Sequence, residues 1–210
     1  MPLILRNWFL LVAQIFSSCH PLLHFTFSGC ASLEELPSFI GNATDLKVLD
    51  LEGCSSLLEL PSSVGNITTL EYLYLNGCAS LVELPSSIGN ITIVKELHLN
   101  QCSSLVELPS SIGKLHELSR LYLKGFSTLK TLPININMKS LDELDLTDCS
   151  LLKSFPEIST NIRVLMLNGT SIEKIPSSIR SWSRLDRLHM SNCQNLWEFP
   201  HAFAASLSCS

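Results

Sequence analysis

Motifs for chemistry are missing from this chain of 210 residues. There is no G-x-x-x-x-G-K-[ST] loop to cradle phosphates, and no G-x-S-x-G turn to present a nucleophilic serine. The string His116-Glu117-Leu118-Ser119-Arg120 lacks the second histidine of a zinc-protease helix. No C-x-x-C occurs, so the 8 cysteines have no zinc-ribbon or redox spacing. Lys and Arg total 14 against 19 Asp and Glu, a net charge of −5, with no basic stripe. That argues against nucleic acid as the main partner. Uninterrupted apolar runs stay below the ~18 residues of a membrane span. The chain therefore reads as non-catalytic, with no cofactor, no bound metal, no membrane span and no nucleic acid.

Proline and glycine are not abundant, but they keep time. Eight of the 10 prolines stand at Pro37, Pro61, Pro85, Pro109, Pro133, Pro156, Pro176 and Pro200. Four successive spacings are 24 residues, and the next are 23, 20 and 24. Such a period marks a stacked repeat protein. Each unit holds a block L-x-x-L-x-L-x-x-C, as in Leu46/Leu49/Leu51/Cys54, Leu70/Leu73/Leu75/Cys78, Val94/Leu97/Leu99/Cys102 and Leu141/Leu144/Leu146/Cys149. Phe126 and Thr170 take the cysteine place in two copies, and Leu185/Leu188/Met190/Cys193 is another. Apolar and polar residues alternate at its end, the period of a half-buried strand. A second block, L-x-x-L-P-x-x-I, covers the return path, where a proline suits an extended turn outside any ladder. All 9 glycines fall after the strand or after the isoleucine, where a coil turns tightly or packs backbone on backbone.

This pattern resembles the leucine-rich repeat. It implies an α/β solenoid, a horseshoe with a concave parallel sheet and a convex side mostly of turns and 3₁₀ pieces. About eight repeats are expected over residues 20–210, the last of them truncated. The unit after Pro156 is short, which reads either as a bend near residues 156–176 or as a harmless deletion on a tolerant surface. Residues 1–19 are apolar and read as a degenerate or capping segment, with a signal peptide and a gene-prediction artefact as the other readings.

The six repeat cysteines are expected to face inward as reduced, buried thiols. They point to a reducing compartment, cytoplasmic or nuclear. His98 points off its strand and Cys102 into the core, so they are not a metal pair. Four N-x-T sequons start at Asn42, Asn66, Asn90 and Asn168 and are read as convex-side residues, not glycan sites.

The candidate surface is the open face of the sheet. Its rows run His24, Val48, Tyr72, Glu96, Arg120, Glu143, Val164, Arg187 and then Thr26, Asp50, Tyr74, His98, Tyr122, Asp145, Met166, His189. A third row runs from Ser28 to Ser191. All 3 tyrosines lie here, and Tyr and Arg are enriched at interface hot spots. The candidate partner-binding residues are Tyr72, Tyr74, Glu96, His98, Arg120, Tyr122, Asp145, Met166, Arg187 and His189. Mixed charges, with Glu96 beside Arg120 and Asp50 near Lys47, are expected to orient a partner.

The strings CSSLLELPSSVGNITTL, CASLVELPSSIGN and STNIRVLMLNGTSIEKIPSSIRSWSRLDRLHMSNCQNLWEFPHAF are similar to repeats of plant intracellular disease resistance proteins, in which a TIR and a nucleotide-binding domain precede the leucine-rich repeats. Extracellular plant receptors of this fold usually carry Asn at the cysteine place and an L-x-G-x-I-P element. The resemblance implies recognition of a pathogen effector or a guarded host protein, or contact with receptor domains. The chain lacks the TIR and nucleotide-binding motifs, so it reads as a free-standing receptor piece or a truncated product. The alternatives are an extracellular binding or inhibitor protein and a non-functional fragment.

Overall fold

A computed structural model describes residues 23–133 and 138–198. Eight three-residue strands recur once per coil: β1 His24–Thr26, β2 Val48–Asp50, β3 Tyr72–Tyr74, β4 Glu96–His98, β5 Arg120–Tyr122, β6 Glu143–Asp145, β7 Val164–Met166 and β8 Arg187–His189. They form one parallel sheet in sequence order. The register never slips: Leu49 faces Leu73, Leu73 faces Leu97, and Leu97 faces Leu121. Parallel neighbours need a crossover connection, and here each return path supplies one.

The return path is built by its prolines. Pro61, at φ −64° and ψ 144°, holds the chain extended and then releases it into the 3₁₀ turn Ser62–Asn66. The turn closes when the amide of Val64 donates to the Pro61 carbonyl at 3.0 Å. Equivalent turns span Ser38–Asn42, Ser86–Asn90, Ser110–Lys114 and Ser177–Ser181. The expected turn-built convex side is therefore present, and no α-helix occurs among the described residues.

A single core runs the length of the stack. Leu49, Leu73 and Leu144 at strand centres are fully buried, and Leu57, Val64, Ile67 and their equivalents meet them from the return path. Burying each such side chain contributes about 1.5–3 kcal/mol. The coils also touch through backbone: a Cβ on Gly65 would lie 2.5 Å from the Ser87 carbonyl oxygen. This is the close approach that the second glycine position demands.

The residue before each cysteine place takes the left-handed conformation. Glycine serves at Gly29, Gly53, Gly77, Gly125 and Gly169, but Gln101, Asp148 and Asn192 adopt the same φ, near 60°. The glycine pattern alone did not disclose those three.

Cys54, Cys78, Cys102 and Cys149 are buried and unpaired. The inward row breaks at its ends: Cys30 is exposed and Cys193 half-buried. Cys30 follows β1, which has no preceding strand to cover it among the described residues. Of the sequon residues, Asn42, Asn66 and Asn90 are exposed at the ends of 3₁₀ turns. Asn168 departs from the convex expectation, because its Oδ1 accepts the Ser191 amide of the next coil at 2.8 Å along the third concave row.

After Pro156 no 3₁₀ turn forms. The shortened path leaves a groove of about 470 Å³ floored by Phe155, Ile158 and Trp182. Phe155 and Trp182 pack edge-to-face at 5.8 Å. Residues 1–19 and the truncated end of the last repeat lie outside the described residues.

Candidate functional site

Alternation places the middle residue of each strand in the core and its two flanks on the concave face. The rungs lie ~4.8 Å apart, so flanking side chains on successive coils meet. Tyr72, Tyr74, Glu96, His98 and Tyr122 are half-buried on this face, and Arg120 is exposed.

The aromatic members form one connected run. The rings of Tyr72 and Tyr74 stack at 6.4 Å with 17° between their planes. Tyr74 meets His98 edge-on at 4.7 Å, and His98 meets Tyr122 at 4.4 Å. Pairs at such separations add about 0.5–1.5 kcal/mol beyond burial. Burial pushes the Tyr74 phenol above its usual range, with help from the charge of Glu96. The Tyr122 phenol is pushed to about 12, chiefly by burial and then by the charge of Glu143.

A charged frame fixes the run. His98 Nε2 lies 3.1 Å from Glu96 Oε2. The other oxygen of Glu96 accepts from Arg120, and Arg120 Nε lies 3.9 Å from Glu143. Glu96 beside Arg120 thus stands as expected. Glu143 joins the cluster although it was not among the candidate residues; its place one rung beyond Arg120 was the available signal. The other charge pairing differs from expectation. Lys47 turns to Glu71 at 3.1 Å, and Lys95 closes on the same carboxylate at 2.6 Å. Those cations hold the Glu71 carboxyl below its usual range, the hydrogen bond from Lys95 acting most. Asp50 instead accepts from Thr26 and from the Glu52 amide. Lys47, Glu71 and Lys95 share one position at the start of consecutive rungs, which brings them together.

The remaining candidates stand apart from this cluster. Asp145 is buried, and its Oδ1 accepts the Thr147 amide at 2.8 Å. Val164, in the outer row, is also buried. Both have short side chains between strands on either side, so neighbours cover them. Met166 is half-buried, while Arg187 and His189 are exposed on β8. Among the described residues, no group of three or more His, Cys, Asp or Glu is placed to hold a metal ion. No helix there is long and apolar enough to cross a membrane.

The unbroken parallel register and the one-coil period define the class: a solenoid with an open concave sheet. A family model described as "Leucine-rich repeat region" matches residues 44–162, and the chain belongs to that family. Segments of the chain are similar to Arabidopsis thaliana proteins. One is "Probable disease resistance protein RPP1", 63% identical over 70 residues, covering 33% of this chain and 6% of that protein. Another is "Disease resistance protein RPS6", 54% identical over 61 residues, covering 29% and 5%. The chain thus matches only a small fraction of the length of these curated relatives. Among solved structures, the leucine-rich repeat domain of the type III effector XopL superposes with a TM-score of 0.65 at 23% identity, over 98% of this chain and 79% of that one. The Arabidopsis receptor kinase HAESA, in complex with the peptide hormone IDA and the co-receptor SERK1, superposes with a TM-score of 0.55 at 28% identity, covering 74% of this chain and 27% of that one.

Proposed function

We propose that this chain is a non-catalytic protein-recognition module of plant innate immunity, built as one solenoid over residues 20–210. It binds a pathogen effector, a guarded host protein or a receptor domain through the concave face. The observation that carries this reading is the connected run Tyr72–Tyr74–His98–Tyr122, framed by Glu96, Arg120 and Glu143. Rigid aromatics with polar tips supply contact area at low entropic cost, and the frame fixes their rotamers before a partner arrives. Asp145, Met166, Arg187 and His189 extend the surface toward β8. The segmental likeness to disease resistance proteins supports the defence role, and unpaired buried cysteines support a cytoplasmic location.

The test is affinity capture from plant tissue, followed by titration of the captured protein against variants. Tyr74→Ala with Tyr122→Ala should weaken binding by about 2 kcal/mol or more while near-UV circular dichroism stays native-like. Ser62→Ala with Ser86→Ala, on the return path, should change little. The opposite pattern moves the contact off the concave face. A second reading, an extracellular binding module, is favoured by the exposure of Asn42, Asn66 and Asn90 in their sequons. Mass spectrometry of the native protein separates the two: glycan on these asparagines supports the extracellular reading and its absence supports the cytoplasmic one.

A further inference from the structure

A second surface lies on the return path, away from the concave sheet. Between each buried leucine pair the chain exposes two residues: Leu58 and Glu59, Val82 and Glu83, Val106 and Glu107. Backbone bonds lock these segments into a narrow parallel ladder. The Leu58 amide donates to Glu34, Val82 to Leu58 and Val106 to Val82, at 2.9–3.1 Å. Parallel bridges join Glu35 to Glu59 and Glu59 to Glu83.

Two columns result. One is apolar, with Leu58, Val82 and Val106 at 53%, 46% and 57% exposure. Beside it stand Glu35, Glu59, Glu83 and Glu107, all exposed, none paired with a cation among the described residues. Like charges facing each other on neighbouring strands destabilise a sheet, and exposed aliphatic side chains gain nothing from water. Both columns are thus unfavourable for the isolated chain. The patch is also bounded: Lys130 and Lys153 occupy the apolar column's place in the next two coils.

We infer that this flank is a docking site for a basic amphipathic helix of a protein partner, lying along the solenoid axis. Charge complementarity selects the occupant: Lys or Arg against the glutamates, apolar residues against Leu58, Val82 and Val106. Pitch agrees with it, since helical turns repeat every ~5.4 Å and rungs every ~4.8 Å. One helical face therefore offers about one residue per rung across the four coils. The site shares no residue with the concave cluster and stands whether or not that cluster binds.

The experiment uses the full chain and a fluorescent helical peptide of about 15 residues with Lys once per turn and Leu beside each Lys. Fluorescence anisotropy should show binding that weakens as ionic strength rises. A scrambled peptide of the same composition should bind at least about tenfold more weakly, because helical phase is lost. Glu59→Gln/Glu83→Gln/Glu107→Gln should weaken binding about tenfold, the sum of three exposed ion pairs. Val82→Ser/Val106→Ser should weaken it without touching a charge, and Tyr74→Ala/Tyr122→Ala should leave it unchanged. Equal binding of the scrambled peptide, or indifference to both flank variants, overturns the inference. So does self-association of the chain by sedimentation that the glutamine variant abolishes, since a second copy is then the occupant.

Discussion

Four thiols do more than fill space. Cys54, Cys78, Cys102 and Cys149 each donate to a carbonyl one coil back, those of Phe27, Leu51, Leu75 and Leu123, at 3.1–3.3 Å. Burial pushes Cys78, Cys102 and Cys149 to about 12, and Cys54 to about 11, from an ordinary 9.0. The folded chain holds these protons where the unfolded chain releases them. Their contribution is therefore intact below pH 9 and drains away as pH climbs toward 12, at up to ~1.4 kcal/mol per thiol per pH unit. The urea midpoint should hold steady from pH 7 to 8 and drop clearly by pH 10. Cys78→Ala/Cys102→Ala should show a shallower drop, and an unchanged wild-type midpoint at pH 10 rules the account out. Gln101 offers a second residue-scale test. It sits at φ 62° where other coils use glycine. Gln101→Gly relieves left-handed strain of about 1 kcal/mol and gives back part of it as unfolded-chain entropy. A net gain of roughly 0.5 kcal/mol is expected in the denaturation midpoint. The depth of the cysteines was legible in their spacing. Their acceptors were not, because period fixes a side chain's position along the coil but not the atom it reaches on the neighbouring coil.

At the scale of the element, the coil is defined by where it cannot vary. The first four 3₁₀ turns stack directly on one another, and Gly41, Gly65 and Gly89 let the next turn approach. Gly65→Ala sets a methyl 2.5 Å from the Ser87 carbonyl oxygen. Overpacking of this kind costs about 1–3 kcal/mol, and backbone on the receiving side cannot rotate away. Thermal or urea denaturation should register that loss, whereas alanine at the exposed Ser110 should lie within about 0.5 kcal/mol of wild type. Both the turns and their glycines were readable, since proline, isoleucine and glycine recur at fixed offsets. The short coil after Pro156 was readable only as a deletion. The sequence led to a bend or a harmless surface deletion; the structure adds that no 3₁₀ turn follows Pro156 and that a groove lies beside the Phe155–Trp182 pair. A count of residues gives path length, and side chains at either end decide what the missing length uncovers.

Across the whole molecule, one unslipping register made the concave rows legible from sequence alone. Tyr74, His98 and Tyr122 were neighbours on paper because successive strands align residue for residue. Burial of Asp145 and Val164 was not legible, because alternation assigns a face without saying how far neighbours cover it. The exposed ladder of Leu58, Val82 and Val106 was not legible either, for a related reason. The return path repeats with the same clock, but its outward residues follow no strand or helix period that marks them as a surface. In a stack of this kind each coil contacts only its neighbours, and stability is close to a sum over coils and the interfaces between them.

The matched register between coils has a consequence for how such a chain changes through time. The segment 78–101 opens at a cysteine and ends just before the next, and both of its faces are copies of the surfaces they meet. Excising it should leave a shorter, cooperatively folding protein, with Tyr72 opposite Arg120 and Tyr74 opposite Tyr122. The deletion should cost roughly one coil's share of stability in urea denaturation while the circular dichroism keeps its shape; a collapsed, non-cooperative transition means the coils are not interchangeable. The reading face, by contrast, loses Glu96 and His98 at one stroke. Unequal recombination between near-identical coils is thus a route by which a whole stripe of contacts is dealt out or withdrawn while the scaffold stays intact, so that specificity changes in steps of a coil as well as in steps of a residue.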